Sequence, residues 1–428
     1  MLKLALIANQ KNSLEVFFDF FKNNKNKIEK LSSKKMKIGY IFNDSADYNL
    51  REFLSAEKEK IELTDNYQSI VNNSEVDIII ELSRKLDSVD YLLQALKNNK
   101  TVVTSNLKVL AENYLEIKEA EKKFENRVFF SAAFSPLPIK MIIDKFYALD
   151  ELKEINAVLN ATTNYILSEM EKNTISMKET IEQAKKLSYT EENTELDLNG
   201  IDSLNKSILL ADLIYNSAFD FSEIKFKGIK GITSYDLIYA AELGYKIKLL
   251  CTIKKENDKL YLGIRPNLIP EDSFLAAINE NSNGLELLSA YNSKTTIKAE
   301  NSGFAAANLV SLDLVDAAKF IKKRESSIIE AGLKENKLFD LYQQQKRSFY
   351  VRLQLEKDEQ IINQIKKIFS EKNLAELILH DNLTETPLLP VIIMTKKIKE
   401  KDLESLLQEV EKIEGVLTVN NIIAVKTA

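Results

Sequence analysis

The chain has 428 residues, more than one hydrophobic core usually holds, so we expect two or three domains. Its 45% hydrophobic and 29% charged residues are typical of a folded globular protein, and its net charge of −5 argues against nucleic-acid binding. One cysteine and one histidine exclude an intrachain disulfide and a multi-thiolate or multi-histidine centre, so we predict no metal site. No run approaches the roughly 20 apolar residues that cross a membrane. We expect a cytoplasmic protein.

The first part of the chain alternates short apolar runs with amphipathic stretches. Strands are predicted at 2–8, 37–42, 76–82, 101–104 and 127–130, and helices at 13–23, 89–98 and 107–125. Apolar strands joined by helices are typical of a parallel sheet that is covered on both faces. We therefore predict a doubly wound, Rossmann-like nucleotide-binding domain over residues 1–131, completed by a helix within 300–325.

The rest of the chain divides into a middle region and a C-terminal unit. Residues 132–299 favour an α+β domain, with helices at 178–187 and from 202 onward and a polar acidic loop at 188–200. Strands are predicted there at 248–254, 260–266 and 295–298. A charged linker at 326–346 leads to residues 347–428, whose βαββαβ order is the ferredoxin-like pattern of small regulatory ACT domains. The alternative for this unit is a dimerisation or packing appendage.

Asp202 and Lys206 carry the clearest chemistry. They are four residues apart, so on a helix they lie on one face. The lysine could give a proton to an alkoxide that forms at a reduced carbonyl, with the aspartate orienting it, and Glu191 in the acidic loop could bind a substrate ammonium. The alternative is a surface ion pair without a chemical role.

Three stretches carry a resemblance to a known family. They are Leu159-Asn160-Ala161-Thr162-Thr163-Asn164-Tyr165-Ile166-Leu167, then Tyr189-Thr190-Glu191 with Asp197-Leu198-Asn199-Gly200-Ile201-Asp202 and Lys206, and finally Tyr239–Leu249 followed by Arg265–Pro270. In order and spacing, residues 155–275 resemble homoserine dehydrogenase.

The resemblance implies that residues 132–299 form the catalytic and dimerisation domain, and it implies an activity and a set of site residues. The expected reaction is the reduction of L-aspartate 4-semialdehyde, a small amino-acid substrate, to L-homoserine with NADP or NAD, in threonine and methionine biosynthesis. Lys206 would be the proton donor and Asp202 its partner, while substrate would contact Glu191, Asp197, Thr163 and Tyr189. Asn164 and the Thr162–Thr163 pair either bind the substrate carboxylate or cap the following helix.

The sequence departs from the family where the nucleotide would lie. The Gly-x-Gly-x-x-Gly turn, through which backbone amides approach a pyrophosphate, is replaced by Ala8-Asn9-Gln10-Lys11-Asn12-Ser13. Asn106 is followed by Leu107 instead of the family's lysine, and Asn301-Ser302-Gly303 replaces Gly-Pro-Gly. Cofactor contacts are predicted at Ala8, Gln10, Ser13, Asn106 and Gly303. These departures leave an alternative: a catalytically impaired homologue that acts as an amino-acid-binding or regulatory protein.

The last expectation concerns assembly. In the family, the region that matches Tyr239–Leu249 forms the subunit interface by sheet pairing, and an edge strand left open invites association. We therefore predict a two-fold homodimer through residues 235–265. The alternative is burial of this strand within its own subunit.

Overall fold

The computed structural model of the chain describes residues 1–8, 11–43, 61–83, 88–186, 194–216, 219, 224–256, 259–291, 294–322, 337–338, 345–379 and 388–426. It divides into two compact units. The first unit consists of residues 1–151, 205–220 and 299–336, and the second of residues 152–204, 221–298 and 337–428. No helix among the described residues is long and apolar enough to cross a membrane.

The strands are numbered in chain order. They are β1 Leu2–Ile7, β2 Met36–Phe42, β3 Glu62–Thr64, β4 Ile78–Glu81, β5 Thr101–Thr104, β6 Val128–Phe129, β7 Leu152–Val158, β8 Tyr245–Glu256, β9 Lys259–Pro270, β10 Ser282–Ser289, β11 Lys294–Glu300, β12 Lys337–Leu338, β13 Phe349–Glu356, β14 Leu374–Leu379, β15 Leu388–Thr395 and β16 Val416–Val425.

The α-helices are numbered in the same way. They are α1 Lys11–Ser32, α2 Tyr67–Val71, α3 Asp90–Lys97, α4 Leu107–Glu112, α5 Tyr114–Lys123, α6 Ile139–Phe146, α7 Ala161–Asn173, α8 Met177–Lys186, α9 Glu195–Leu198, α10 Ile201–Tyr215, α11 Ser234–Glu242, α12 Gly303–Lys322, α13 Glu359–Asn373 and α14 Glu400–Val410. A short 3₁₀ helix spans Ser131–Phe134.

The first unit is built on a parallel sheet of order β3-β2-β1-β4-β5-β6. Its central strands are buried because helices cover them. Phe17 of α1 and Leu314 of α12 pack in the same hydrophobic core as Leu4 of β1. The predicted parallel, Rossmann-like sheet is confirmed. The helix predicted at 107–125 is two helices that meet at Asn113, and β3 and α2 were missed.

The second unit is built on a mixed sheet of order β11-β10-β7-β8-β9-β16-β13-β15-β14, with β12 against β9. The strands β7 and β10 were missed in the sequence, and the predicted acidic loop contains the short helix α9. The domain boundaries drawn from the sequence stay a prediction.

The position of β8 removes the argument used for the homodimer. Residues Cys251–Lys254 of this strand pair with β7 on one side and with β9 on the other, so this part of β8 lies inside the sheet. Leu249 and Ile253 are buried within their own subunit, and a charge at either would break this core instead of separating subunits. The expectation of an edge strand was wrong for residues 251–254, and the homodimer itself stays a prediction.

The C-terminal residues have the element order β13-α13-β14-β15-α14-β16 and continue the sheet, because β16 pairs in parallel with β9. Asp236, fully buried at the start of α11, joins them to the middle region. It accepts hydrogen bonds from Arg352 Nε at 2.7 Å, Tyr350 Oη at 3.2 Å and Asn421 Nδ2 at 2.8 Å. A buried carboxylate is costly without hydrogen-bond partners, so these bonds hold the C-terminal residues in a defined position against α11.

Candidate active site

The turn from β7 into α7 is organised by the side chain of Asn160. This residue is the N-cap of α7, with an extended backbone, and its Oδ1 accepts the Thr163 backbone N–H at 2.7 Å. The Thr163 hydroxyl in turn donates to the Asn160 carbonyl oxygen at 3.1 Å. Both residues are buried. The Thr163 hydroxyl is thus part of the helix cap, and its predicted substrate contact stays a prediction.

The amide of Asn160 also gathers two carboxylates. Its Nδ2 donates to Asp197 Oδ1 at 2.6 Å and to Asp202 Oδ2 at 2.8 Å. Asp197 belongs to α9, and Asp202 lies in the first turn of α10, where the helix dipole favours a negative charge. Gly200 joins the two helices with φ +84°, a conformation that glycine adopts without strain.

Lys206 lies one turn after Asp202 on α10, as the spacing predicts, and it is partly exposed. The described structure therefore brings together Asp197, Asp202 and Thr163 around Asn160, with Lys206 next on the helix. Glu191 and Tyr189, the other predicted substrate ligands, lie outside the described residues. Asn160 was quoted in the motif but given no role, although an asparagine just before a helix is a common capping signal.

Behind this turn lies a buried lysine that the sequence reasoning also missed. Lys248, on β8, is 1% exposed and donates to Asn164 Oδ1 at 2.9 Å, Ile278 O at 2.6 Å and Asn279 Oδ1 at 3.0 Å. Burial lowers the pKa of Lys248 to about 7, and the negative charge of Glu171 partly opposes this. The signal in the sequence is weak, since Lys248 lies between Ile247 and Leu249 in a strand that also carries Lys246, Lys254 and Lys255.

Asn164 does not cap α7, since Asn160 is the helix cap, and its expected substrate contact stays a prediction. Its Nδ2 donates to the carbonyl oxygens of Glu280 at 3.0 Å and Ser282 at 3.2 Å, and its Oδ1 accepts from Lys248. Asn164 therefore links α7 by hydrogen bonds to the start of β10 and the residues just before it.

In the first unit, a second polar group lies at the carboxyl edge of the parallel sheet. Glu81, which ends β4, accepts hydrogen bonds from the Thr104 hydroxyl and from Asn106 Nδ2, the latter at 3.0 Å. Asn106 also caps α4 by accepting from Val109 N at 3.3 Å. Burial raises the pKa of Glu81 to about 7, while the two hydrogen bonds act in the opposite direction.

Comparison with known proteins identifies the family. A family model described as homoserine dehydrogenase matches residues 138–315, and one described as the homoserine dehydrogenase NAD-binding domain matches residues 17–131, together well over half of the chain. The chain belongs to the homoserine dehydrogenase family.

Individual relatives agree. The homoserine dehydrogenase of Helicobacter pylori is 27% identical over 83% of this chain and 84% of its own length. That of Methanocaldococcus jannaschii is 33% identical over 48% of this chain and 61% of its own. The crystal structure of a homoserine dehydrogenase from Thiobacillus denitrificans has a TM-score of 0.88 at 22% identity, covering 99% of this chain and 98% of its own, which shows a shared fold. The two sequence relatives favour a dehydrogenase over the alternative of a non-catalytic binding protein.

The NAD-binding family indicates a nicotinamide cofactor, and the first unit can be compared with that requirement. The helix α1 begins at Lys11, directly after β1, and such a helix N-terminus fits a pyrophosphate. The family match, however, begins only at residue 17, beyond the turn that lacks glycines. The Ala8 backbone N–H donates to Phe42 O at 3.3 Å, so it is already used by the sheet.

The remaining predicted cofactor residues have separate surroundings. Ser13 lies in the first turn of α1, and Gln10 lies outside the described residues. Gly303 opens α12 against α1, where a Cβ would lie 3.2 Å from Val16 Cγ1. The cofactor class fits the sheet and the helix N-terminus, while the contacts to its phosphates must differ from those of a glycine-rich turn.

Proposed function

We propose that this homoserine dehydrogenase family member reduces L-aspartate 4-semialdehyde to L-homoserine with NADPH or NADH, in threonine and methionine biosynthesis. The observation that carries the proposal is the Asn160 cluster, in which Asp197 and Asp202 share one amide while Lys206 follows on the same helix as Asp202. A dehydrogenase that acts on an amino-acid aldehyde needs carboxylates for the substrate amine and a positioned acid for the new alkoxide.

Each residue has a role in this proposal. Lys206 donates a proton to the carbonyl oxygen as it becomes an alkoxide, and Asp202 orients the ammonium. Glu191 and Asp197 bind the substrate amine, and Tyr189 and Thr163 complete the substrate pocket. The nicotinamide cofactor supplies the hydride when it is bound.

We further propose that Asn106, Ser13, Gln10, Ala8 and Gly303 line the cofactor site. Asn106 is supported best, since it is fixed from two sides at the carboxyl end of β5, where parallel sheets bind nucleotides. The cofactor choice between NADP and NAD is left open.

We also propose that residues 347–428 form an ACT-like regulatory domain. The sheet order β16-β13-β15-β14, with antiparallel neighbours and two helices, supports this assignment. A cytoplasmic homodimer is the assembly that the family resemblance favours.

The substitution Lys206→Ala tests the catalytic proposal. We expect kcat to fall by about 10²–10⁴, the usual contribution of a positioned acid, while the affinity for NADPH is unchanged. Steady-state aldehyde reduction and NADPH fluorescence titration measure the two quantities. Lys178→Ala, an exposed lysine on α8, is the control and should keep wild-type activity. A purified wild type that shows no turnover with either cofactor would refute the proposed function.

A further inference from the structure

We propose that Asn160 is a positioning residue, whose side-chain amide holds Asp197 and Asp202 in the single arrangement that the reaction uses. This inference rests on the proposed function, because it assigns Asn160 to the two carboxylates placed there beside the substrate. The supporting observation is direct, since one nitrogen donates to both carboxylates at 2.6 and 2.8 Å.

The orientation of the amide is fixed by the helix that it caps. Asn160 Oδ1 accepts the Thr163 N–H at 2.7 Å, so a flipped amide would lose the cap and turn its oxygen toward two carboxylates. The cap thus determines that the NH₂ group faces the acids. The backbone is held as well, because Asn283 Nδ2 donates to the carbonyl oxygen of the preceding residue, Leu159, at 3.1 Å.

The electrostatics explain why a donor is needed at this place. Two carboxylates that accept from the same nitrogen are close together, and like charges at short range repel. The two N–H bonds of Asn160 are directed at one oxygen of each acid and offset that repulsion. Both acids lie more than 35 residues along the chain from Asn160, so these two hydrogen bonds join distant segments of the chain.

Two variants separate positioning from helix capping. Asn160→Ser keeps a residue that caps helices as well as asparagine does, but it removes the NH₂ group. Asn160→Asp keeps the size and the capping oxygen and places a third carboxylate beside Asp197 and Asp202. The control is Asn66→Ser, the same change at the N-cap of α2, where the side chain accepts from Gln68 N at 3.0 Å.

We expect Asn160→Ser to keep the wild-type melting temperature within a few degrees while kcat/KM for the aldehyde falls on the order of 10- to 100-fold, the effect of losing hydrogen bonds to charged groups. The loss should include a lower kcat, through Asp202 and Lys206, as well as a higher KM, through Asp197. Asn160→Asp should lose more, and Asn66→Ser should match wild type. The affinity for NADPH should be equal in all four proteins.

Calorimetric binding of L-homoserine gives a readout that does not require turnover. Weaker binding in both Asn160 variants, with folding retained, supports the positioning role. An active wild type with an Asn160→Ser variant within twofold of it in both kcat/KM and homoserine affinity overturns the inference and leaves the proposed function intact. A wild type that binds homoserine but does not reduce the aldehyde overturns the proposed function instead.

Discussion

The turns that lead from β7 into α7 and from β1 into α1 join the same types of element but are built differently. The first turn is held by side chains. Asn160 caps the helix and binds two carboxylates, and the buried Lys248 donates a hydrogen bond to Asn164 of the same helix. In the second, the family uses backbone amides that only a glycine-rich turn exposes, and this chain has no glycine at 8–13. The β7–α7 turn therefore has a network of polar side chains, while the β1–α1 turn lacks the glycines that backbone binding of a pyrophosphate requires.

The largest effect is expected behind the β7–α7 turn, with Lys248→Met. The substitution leaves two buried acceptors, Asn164 Oδ1 and Ile278 O, without a donor, and each such group costs roughly 1–3 kcal/mol. We expect the free energy of unfolding of the second unit to fall by about 4 kcal/mol, measured by urea denaturation. Lys246→Met, on the same strand with a partly exposed ion pair to Glu171, should cost under about 1 kcal/mol. Equal losses in the two variants would show that the buried network contributes nothing special.

A pH-dependent effect of intermediate size is expected at the nucleotide side, from Glu81. Its folded-state pKa, about 7, is above the unfolded value of 4.5, so the folded protein holds the proton more tightly. The contribution of Glu81 to stability is present below about pH 4.5 and is lost as the pH rises to about 7, a change of about 3 kcal/mol.

Glu81→Gln should remove that slope, which unfolding measured from pH 4.5 to 8 would detect as a difference between wild type and variant. Glu116→Gln, an exposed glutamate on α5, is the control and should keep the wild-type slope. Parallel curves for wild type and Glu81→Gln would contradict the raised pKa.

The smallest effect is expected at the turn between β1 and α1, which lacks glycine. Gln10→Gly restores the residue through which a backbone amide approaches the pyrophosphate. A hydrogen bond to a charged group contributes roughly 1.5–3 kcal/mol to binding, and the entropic cost of ordering glycine opposes it. The net gain of about 1 kcal/mol corresponds to a Kd for NADPH lowered roughly fivefold. Fluorescence titration measures this Kd, with Asn23→Gly on the exposed face of α1 as control. Unchanged or weaker binding would mean that this turn holds the cofactor in another way.

Much of the fold could be predicted from sequence because its signals are local. The buried parallel strands of the first unit are short apolar runs such as Ile78–Glu81, and each was found within a few residues of its bounds. In the second unit, β10 was missed because Asn283 and Gly284 interrupt its apolar pattern. The strand forms because it pairs with β7, a contact that its own sequence does not reveal. A strand's place in a sheet is likewise not local, which is why β8 was expected at an edge although its residues 251–254 have a neighbouring strand on each side.

The candidate site divides along the same line. The sequence by itself determined that Asp202 and Lys206 share a helix face, since that follows from the 3.6-residue period alone. The absence of glycine from residues 8–13 is likewise read from the sequence directly. Only the tertiary structure decided that Asn160 binds Asp197 and Asp202, and that Lys248 is buried against α7. The physical reason is that hydrogen bonds and burial depend on which distant segments meet, and no spacing along the chain encodes that meeting.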